Sequence, residues 1–222
     1  MSLVGQVVQC AMLGRLSASG QACISAKRMI VADSIYDEFL SGVTAAIDGL
    51  EPGDPMDLKT TLAPVSSKSA AEMIKEQVGQ AVVHGAKATE VGQRVPAQGA
   101  FVQPTILTGV TPENPVYSQE IFGPVLTLFR FTDEAEAIKL ANDTQFGLGA
   151  SVYSSDTAHA FAVAEQLEAG TVTINQPTIP VASLPFGGTK RSGYGREMGV
   201  AGIREFVNPK VINGARLAQL AA

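Results

Sequence analysis

The sequence predicts an α/β protein: a three-layer α/β/α arrangement around a largely parallel sheet, with a C-terminal arm that ends in a strand. Three observations predict it. Short β-branched runs alternate with amphipathic helical stretches along most of the 222 residues, and such alternation calls for crossover connections that lay helices on both faces of a parallel sheet. A hydrophobic content of 45% is enough to bury a sizeable core in a chain of this length. The last section then abandons both periods for a Gly-rich run, LPFGGTKRSGYGREMG, that no regular element accommodates.

Taken in order, Met1-Ser2-Leu3 reads as a cloning scar. Val4, Val7, Val8, Met12 and Leu16 form a helical stripe that starts abruptly, as though mid-fold. Residues 27–32 read as a buried strand. Asp33-Ser34 then caps a helix whose inward face is Ile35, Phe39, Val43, Ile47 and Leu50, and EPGDP ends it. Residues 66–84 form a second amphipathic helix through Met73, Ile74, Val78, Ala81 and Val82, with Gly85 where a left-handed C-cap is wanted. A strand over 87–91 follows. Strands over 101–107 and 125–131 flank TPENPVYSQEIFGP, a long connection of the kind that is often functional. Thr132-Asp133 caps a helix through Ile138 and Ala141. Residues 150–153 make a strand, 156–167 a helix stopped by Gly170, and 171–175 a strand. IREFVNPKVI reads as a turn of helix and a terminal strand, which needs a sheet edge to join.

Composition excludes several classes. A formal net charge of −5 with no run of Lys or Arg offers nothing to a phosphate backbone, so nucleic acid is not an expected partner. No apolar run approaches the ~20 residues that cross a bilayer. Two cysteines cannot build a disulfide framework, and no cationic segment precedes an apolar one, so the expected setting is a reducing cytoplasm, away from membranes. The sequon at Asn142-Asp143-Thr144 therefore carries no weight.

Three places could carry chemistry. Cys23 lies in SASGQACISAKRMIV, and a buried free cysteine is commonly a small hydrophobe. Gly20 and Gln21 continue a helix poorly, however, and a thiol just after a turn can meet free backbone N–H groups that stabilise a thiolate and an oxyanion. Both readings stay open at this level. Cys10, inside the apolar stripe, reads as core. His84 and His159 read as solvated surface, and without a Cys/His/carboxylate cluster no metal site is expected. Glu120 in YSQEIFGPV is either a solvated loop acid or a carboxylate that accepts hydrogen bonds from a ribose diol while Phe122 covers a flat ring. GGTKRSGYG lacks phosphate-loop spacing and reads as a tight structural turn.

In this order, SGQACISAKR, QEIFGPV, ANDTQFGLGASVY, GTVTIN and PFGGTKRSGYGRE resemble the catalytic domain of the aldehyde dehydrogenase superfamily over nearly the whole chain, nearest to its succinate-semialdehyde-like branch. The resemblance implies a catalytic domain over 1–185 and a Gly-rich segment with a C-terminal oligomerisation arm over 186–222. It implies NAD(P)-dependent oxidation of a small aldehyde, with NAD or NADP as cofactor and a homo-oligomeric state. By the same resemblance Cys23 is the nucleophile, its backbone N–H helps hold the oxyanion, Glu120 and Phe122 contact the nicotinamide ribose and ring, and Phe186 lies near the substrate entrance. Ser17 stands where many of those enzymes place an Arg, six residues before the cysteine, to bind a substrate carboxylate. Ala18 stands where family members often carry Asn. The family's cofactor-binding domain, with the carboxylate that activates the deacylating water, is not in this sequence, so the expectation is a fragment that does not turn over alone. Two other classes compete: a non-catalytic subunit or interaction module that lends its terminal strand to a neighbour, and a cysteine hydrolase, which needs a His paired with Cys23.

Overall fold

The chain is described by a computed structural model over residues 2–215. Helix α1, Leu3–Leu16, starts where the Ser2 hydroxyl accepts a hydrogen bond from Gly5 N–H at 3.1 Å, an N-cap that satisfies one orphan donor. Val8, Ala11 and Arg15 are its buried residues, while Val4, Val7, Met12 and Leu16 lean on the same core. After strand β1, Arg28–Ala32, helix α2, Asp33–Asp48, follows without a loop. The expected Asp33-Ser34 cap does not form. The extended Ala32 is the N-cap, with no side-chain bond, and Asp33 sits inside the first turn, where a carboxylate suits the helix dipole. The buried face of α2 is Tyr36, Phe39, Val43 and Ile47, with Ile35 turned outward. Helix α3, Lys68–Val83, is capped by Ser67 and buries Ala71, Ile74 and Ala81, whereas Met73 and Val82 face solvent. Gly85 does take the expected left-handed conformation, with φ +95°.

Strands β2, Lys87–Glu90, β3, Thr105–Thr108, and β4, Val125–Phe131, join β1 in a four-stranded sheet of order β1-β4-β3-β2. The β1–β4 and β3–β4 pairs are parallel, and only the edge strand β2 runs antiparallel. Alternation along the strands sorts the core into two layers. Met29, Val31, Ile106, Leu126 and Leu128 pack with α1 and α2, while Leu107, Val125 and Phe129 pack with α3. Leu126 is fully buried, which is worth about 1.5–3 kcal/mol relative to exposure. The three-layer expectation holds here.

Beyond β4 the pieces are smaller. They are α4, Glu134–Asn142, capped by Asp133; β5, Phe146–Gly147; β6, Gly149–Val152; α5, Thr157–Ala164, capped by Asp156; and β7, Thr171–Ile174. Strands β6 and β7 pair in parallel, but as a separate two-stranded sheet. The Gly-rich run is more ordered than expected: β8, Thr189–Lys190, pairs antiparallel with β5, and Phe186 bridges Glu197. Glycine is required where this run passes its neighbours, since a Cβ on Gly170 would sit 2.0 Å from the Gly187 carbonyl oxygen. Helix α6, Gly199–Arg204, is the expected turn of helix. Among the described residues the expected terminal strand does not form. Residues 208–215 take no regular structure and pair with no strand, because Pro209 lacks a donor and no sheet edge runs alongside. The arm beyond 215 lies outside the described residues.

Candidate functional site

Cys23 owes its position to a turn that few residues adopt. The chain leaves α1 through a 3-10 turn, Ser17–Gly20, in which Ala18, Ser19 and Gly20 are successively left-handed, with φ of 51°, 56° and 79°. A non-glycine residue there costs on the order of 1–2 kcal/mol, and neighbouring bonds hold it. Ser19 Oγ donates to the Ala63 carbonyl at 2.6 Å, Gln21 Nε2 donates to the Ala18 carbonyl at 3.0 Å, and Gln21 Oε1 accepts from Ser66 N–H at 2.8 Å. Gly20 is obligatory, since a Cβ there would meet the Gly123 carbonyl oxygen at 2.2 Å. A second turn, closed by Ser25 N–H on the Ala22 carbonyl at 3.0 Å, then carries Cys23 outward. The thiol is exposed. The Cys23 N–H has no acceptor among the described residues, which is the condition for donating to an oxyanion.

The second wall is the connection between β3 and β4, and a buried arginine locks it to the first. Arg15 is wholly inaccessible. Its guanidinium donates to the carbonyls of Val125 (2.7 Å), Gly20 (3.4 Å), Ile121 (2.8 Å) and Gly123. One side chain thus ties the turn before Cys23 to the segment that carries Glu120 and Phe122. Burial pulls Arg15 down to about 10, with Glu120 opposing the shift, so the side chain stays charged at neutral pH.

Lys27 makes the third connection. Its ammonium lies 2.7 Å from Glu120 Oε1, donates to the carbonyls of Ala22 (3.0 Å) and Cys23 (2.9 Å), and stands 5.3 Å from the centre of the Phe122 ring. Desolvation lowers the Lys27 pKa, the hydrogen bond and charge of Glu120 raise it, Arg15 lowers it further, and Cys23 raises it. The neighbouring Arg28 turns the other way, with its guanidinium near the rings of Tyr117 and Phe129.

Cys23, Glu120 and Phe122 are therefore brought together, around Lys27. Glu120 keeps 38% of its side chain exposed and Phe122 39% of its surface, so a diol and a flat ring can reach them. The residues fit a nicotinamide ribose in kind: a carboxylate oxygen beyond the one Lys27 holds, and an apolar ring beside it. Ser17 is exposed at the start of the turn. Phe186 is buried and bridged to Glu197, and no hydrogen bond joins it to the Cys23 turn among the described residues. Its segment reaches the Glu120 connection indirectly, through Arg191 N–H on the Gln145 carbonyl (3.0 Å) and Gln145 Nε2 on the Ser118 carbonyl (3.1 Å). Cys10 is half-buried on α1 rather than fully in the core. His84 Nδ1 faces the Gln80 carbonyl and His159 Nε2 pairs with Glu134 at 2.5 Å, so neither partners Cys23. Among the described residues no group of three His, Cys, Asp or Glu could hold a metal ion, and no helix is long and apolar enough to cross a membrane.

Arg15 and Lys27 are the residues that sequence reasoning missed. Arg15 left a signal: it falls on the same helical face as Val8 and Ala11, and a charge on an inward face calls for acceptors. Lys27 left none, because only the fold brings Glu120 to it from 93 positions away.

Comparisons with known proteins bear on the family and the fold. The model of the Aldehyde dehydrogenase family matches residues 4–212. The NADP(+) succinate-semialdehyde dehydrogenase of Deinococcus radiodurans is 50% identical over 205 residues, covering 92% of this chain and 43% of that protein. Its counterpart in Mycobacterium avium is 40% identical over 207 residues, with 93% and 44% covered. Among solved structures, succinic semialdehyde dehydrogenase from Streptococcus pyogenes, in complex with NADP+, superposes with a TM-score of 0.91 at 43% identity, covering 95% of this chain and 46% of that one. The chain spans less than half the length of the relatives it matches.

Proposed function

This chain belongs to the aldehyde dehydrogenase family, and from that premise we propose that it carries the nucleophile and the nicotinamide-facing wall of an NAD(P)-dependent oxidation of a small aldehyde to a carboxylic acid. The observation that carries the proposal is the meeting of an exposed Cys23, on the turn that follows the left-handed one and with no acceptor for its N–H among the described residues, with the half-exposed Glu120–Phe122 pair across Lys27. The Cys23 thiolate adds to the carbonyl carbon, and the resulting thiohemiacetal oxyanion accepts from Cys23 N–H. Collapse of that oxyanion expels hydride and leaves a thioester, which water cleaves to the acid while the thiol is restored. The nicotinamide, when bound, takes up the hydride. Glu120 would accept from its ribose hydroxyls and Phe122 would cover the ring.

The names of the relatives favour succinate semialdehyde and NADP(+). Ser17 would then offer a substrate carboxylate one hydroxyl donor in place of a bidentate Arg. Phe186, which the resemblance puts near the substrate entrance, has its backbone fixed by the bridge to Glu197, so it would face that entrance from a tied Gly-rich segment.

Acylation tests the reading without needing a cofactor. A Cys10→Ser variant treated with p-nitrophenyl acetate is expected to release about one equivalent of p-nitrophenol in a burst and then stop, with the acyl group on Cys23 by mass spectrometry. No burst, or acylation elsewhere, overturns it. The 222-residue polypeptide alone is expected to form no NADPH from succinate semialdehyde; robust turnover would refute the incomplete-site reading.

A second reading, a non-catalytic interaction module, is favoured by the exposed Ile203, Phe206, Val207, Val211 and Ile212, since apolar surface of that kind marks contact sites. The homo-oligomeric state is likewise proposed. Sedimentation of the purified chain decides: a clean monomer counts against both.

A further inference from the structure

An ammonium group has three N–H donors and no acceptor, and at Lys27 all three are accounted for. One goes to Glu120 Oε1 at 2.7 Å, one to the Ala22 carbonyl at 3.0 Å and one to the Cys23 carbonyl at 2.9 Å. Two of the acceptors belong to the turn that presents the thiol, and the third is the carboxylate on the opposite wall. The ring of Phe122, 5.3 Å from the ammonium, completes the enclosure, and only 18% of the Lys27 side chain is exposed. A charge so enclosed is screened less than a surface charge. We propose that Lys27 is a positioning residue for the reaction: it fixes the backbone of the Cys23 turn against Glu120 and supplies the positive charge that favours the thiolate. This rests on the reading of Cys23 as nucleophile and Glu120 as cofactor-facing.

The charges around the pair come from three elements. Arg15 of α1 lies beneath, held by the carbonyls of Gly20, Ile121, Gly123 and Val125. Glu120 comes from the β3–β4 connection, and Lys27 from the residue before β1. Arg28 is directed to Tyr117 and Phe129 instead. Arg15 spends its donors on main-chain carbonyls and Glu120 is negative. Lys27 is therefore the cation whose bonds reach the cysteine itself, through its carbonyl.

The test is the pH–rate profile of Cys23 alkylation by iodoacetamide, in a Cys10→Ser background so that one thiol reacts. Lys27→Met is expected to slow alkylation by about threefold to tenfold at neutral pH, with the full rate recovered at high pH, because removing a nearby cation disfavours the thiolate without removing the thiol. Lys27→Arg, which keeps the charge, is expected to restore most of the neutral-pH rate. A Lys27→Met profile that superimposes on the parent overturns the proposal. So does equal slowing in the Met and Arg variants at every pH, which is what a purely structural role gives. The parent's acylation burst reports separately on Cys23 as nucleophile, so failure of that function and failure of the Lys27 role are distinguishable.

Discussion

Up to Phe131 the chain buries large apolar side chains on both faces of the four-stranded sheet, whereas beyond Phe131 the buried hydrophobic side chains among the described residues are Ala160 and Phe186. Helix α4 buries no residue, α5 buries Ala160 and α6 buries Gly202. The later region coheres through hydrogen bonds instead. Ser151 Oγ meets Thr173 Oγ1 at 2.9 Å and Thr178 Oγ1 at 3.2 Å, and Thr178 donates to the Ala150 carbonyl at 3.0 Å. It also turns Phe161, Ile179, Val181, Leu184 and Val200 to solvent. The contrast teaches where rigidity was placed. Cys23, Glu120, Phe122 and Lys27 all stand on the packed region, where a core fixes the loops at strand ends, while Phe186 and the Gly-rich segment belong to the thin one.

The sharpest way to break that comparison is to cut equivalent apolar groups from each side. Leu126→Ala, fully buried in β4, is expected to cost about 2–5 kcal/mol, and Ile203→Ala, 72% exposed in α6, under about 0.5 kcal/mol, both read from urea midpoints. Comparable losses would show that the later region is as tightly packed as the first. Arg15→Met comes next. It removes the donors that four carbonyls share, and stranding buried acceptors is expected to cost about 2–3 kcal/mol and to slow Cys23 labelling as the two loops part. Unchanged labelling would show that the loops hold without it. Ala18→Asn goes the opposite way. Asn tolerates the left-handed region that Ala18 occupies at φ 51°, so a gain of about 0.5–1 kcal/mol is expected, and a thermal melt showing a loss would discount strain at this turn.

The effect confined to one end of the pH range lies in the later region, at high pH. Burial, the charge of Cys10 and a hydrogen bond with Ser151 act on Tyr153, the first two raising its pKa and the last lowering it, for a net rise from 10.0 to about 12. Between those values the folded chain holds a proton that the unfolded chain has lost. Stability from this group is thus fully present below about pH 10 and lost as pH rises toward 12. Lys27, whose pKa is lowered, has the opposite slope, so the measurement is a difference: Tyr153→Phe is expected to lose stability less steeply than the parent over that range. Parallel curves would contradict it.

Some of this was legible in residues alone. The helical stripes of α1 and α2, the Asp133 cap and the strand runs at β1 and β4 could be read because their causes are local. The motifs around Cys23 and Glu120 were legible as resemblance, and the family match over residues 4–212 agrees. The inward face of α2 was misread by one position, at Ile35 for Tyr36, because the helix begins at Asp33 itself, directly after the strand. The terminal strand does not form among the described residues, because a strand is completed by its neighbour and not by its own sequence.

By itself, then, the sequence determined the α/β class, most of the order of the elements and the family motifs around Cys23 and Glu120, since periodicity, caps and motifs are carried by nearby residues. Only the tertiary structure decided what lies between them. Arg15 and Lys27 acquire their roles from carbonyls and a carboxylate as far as 110 positions away. A buried or half-buried cation must find acceptors wherever the fold delivers them.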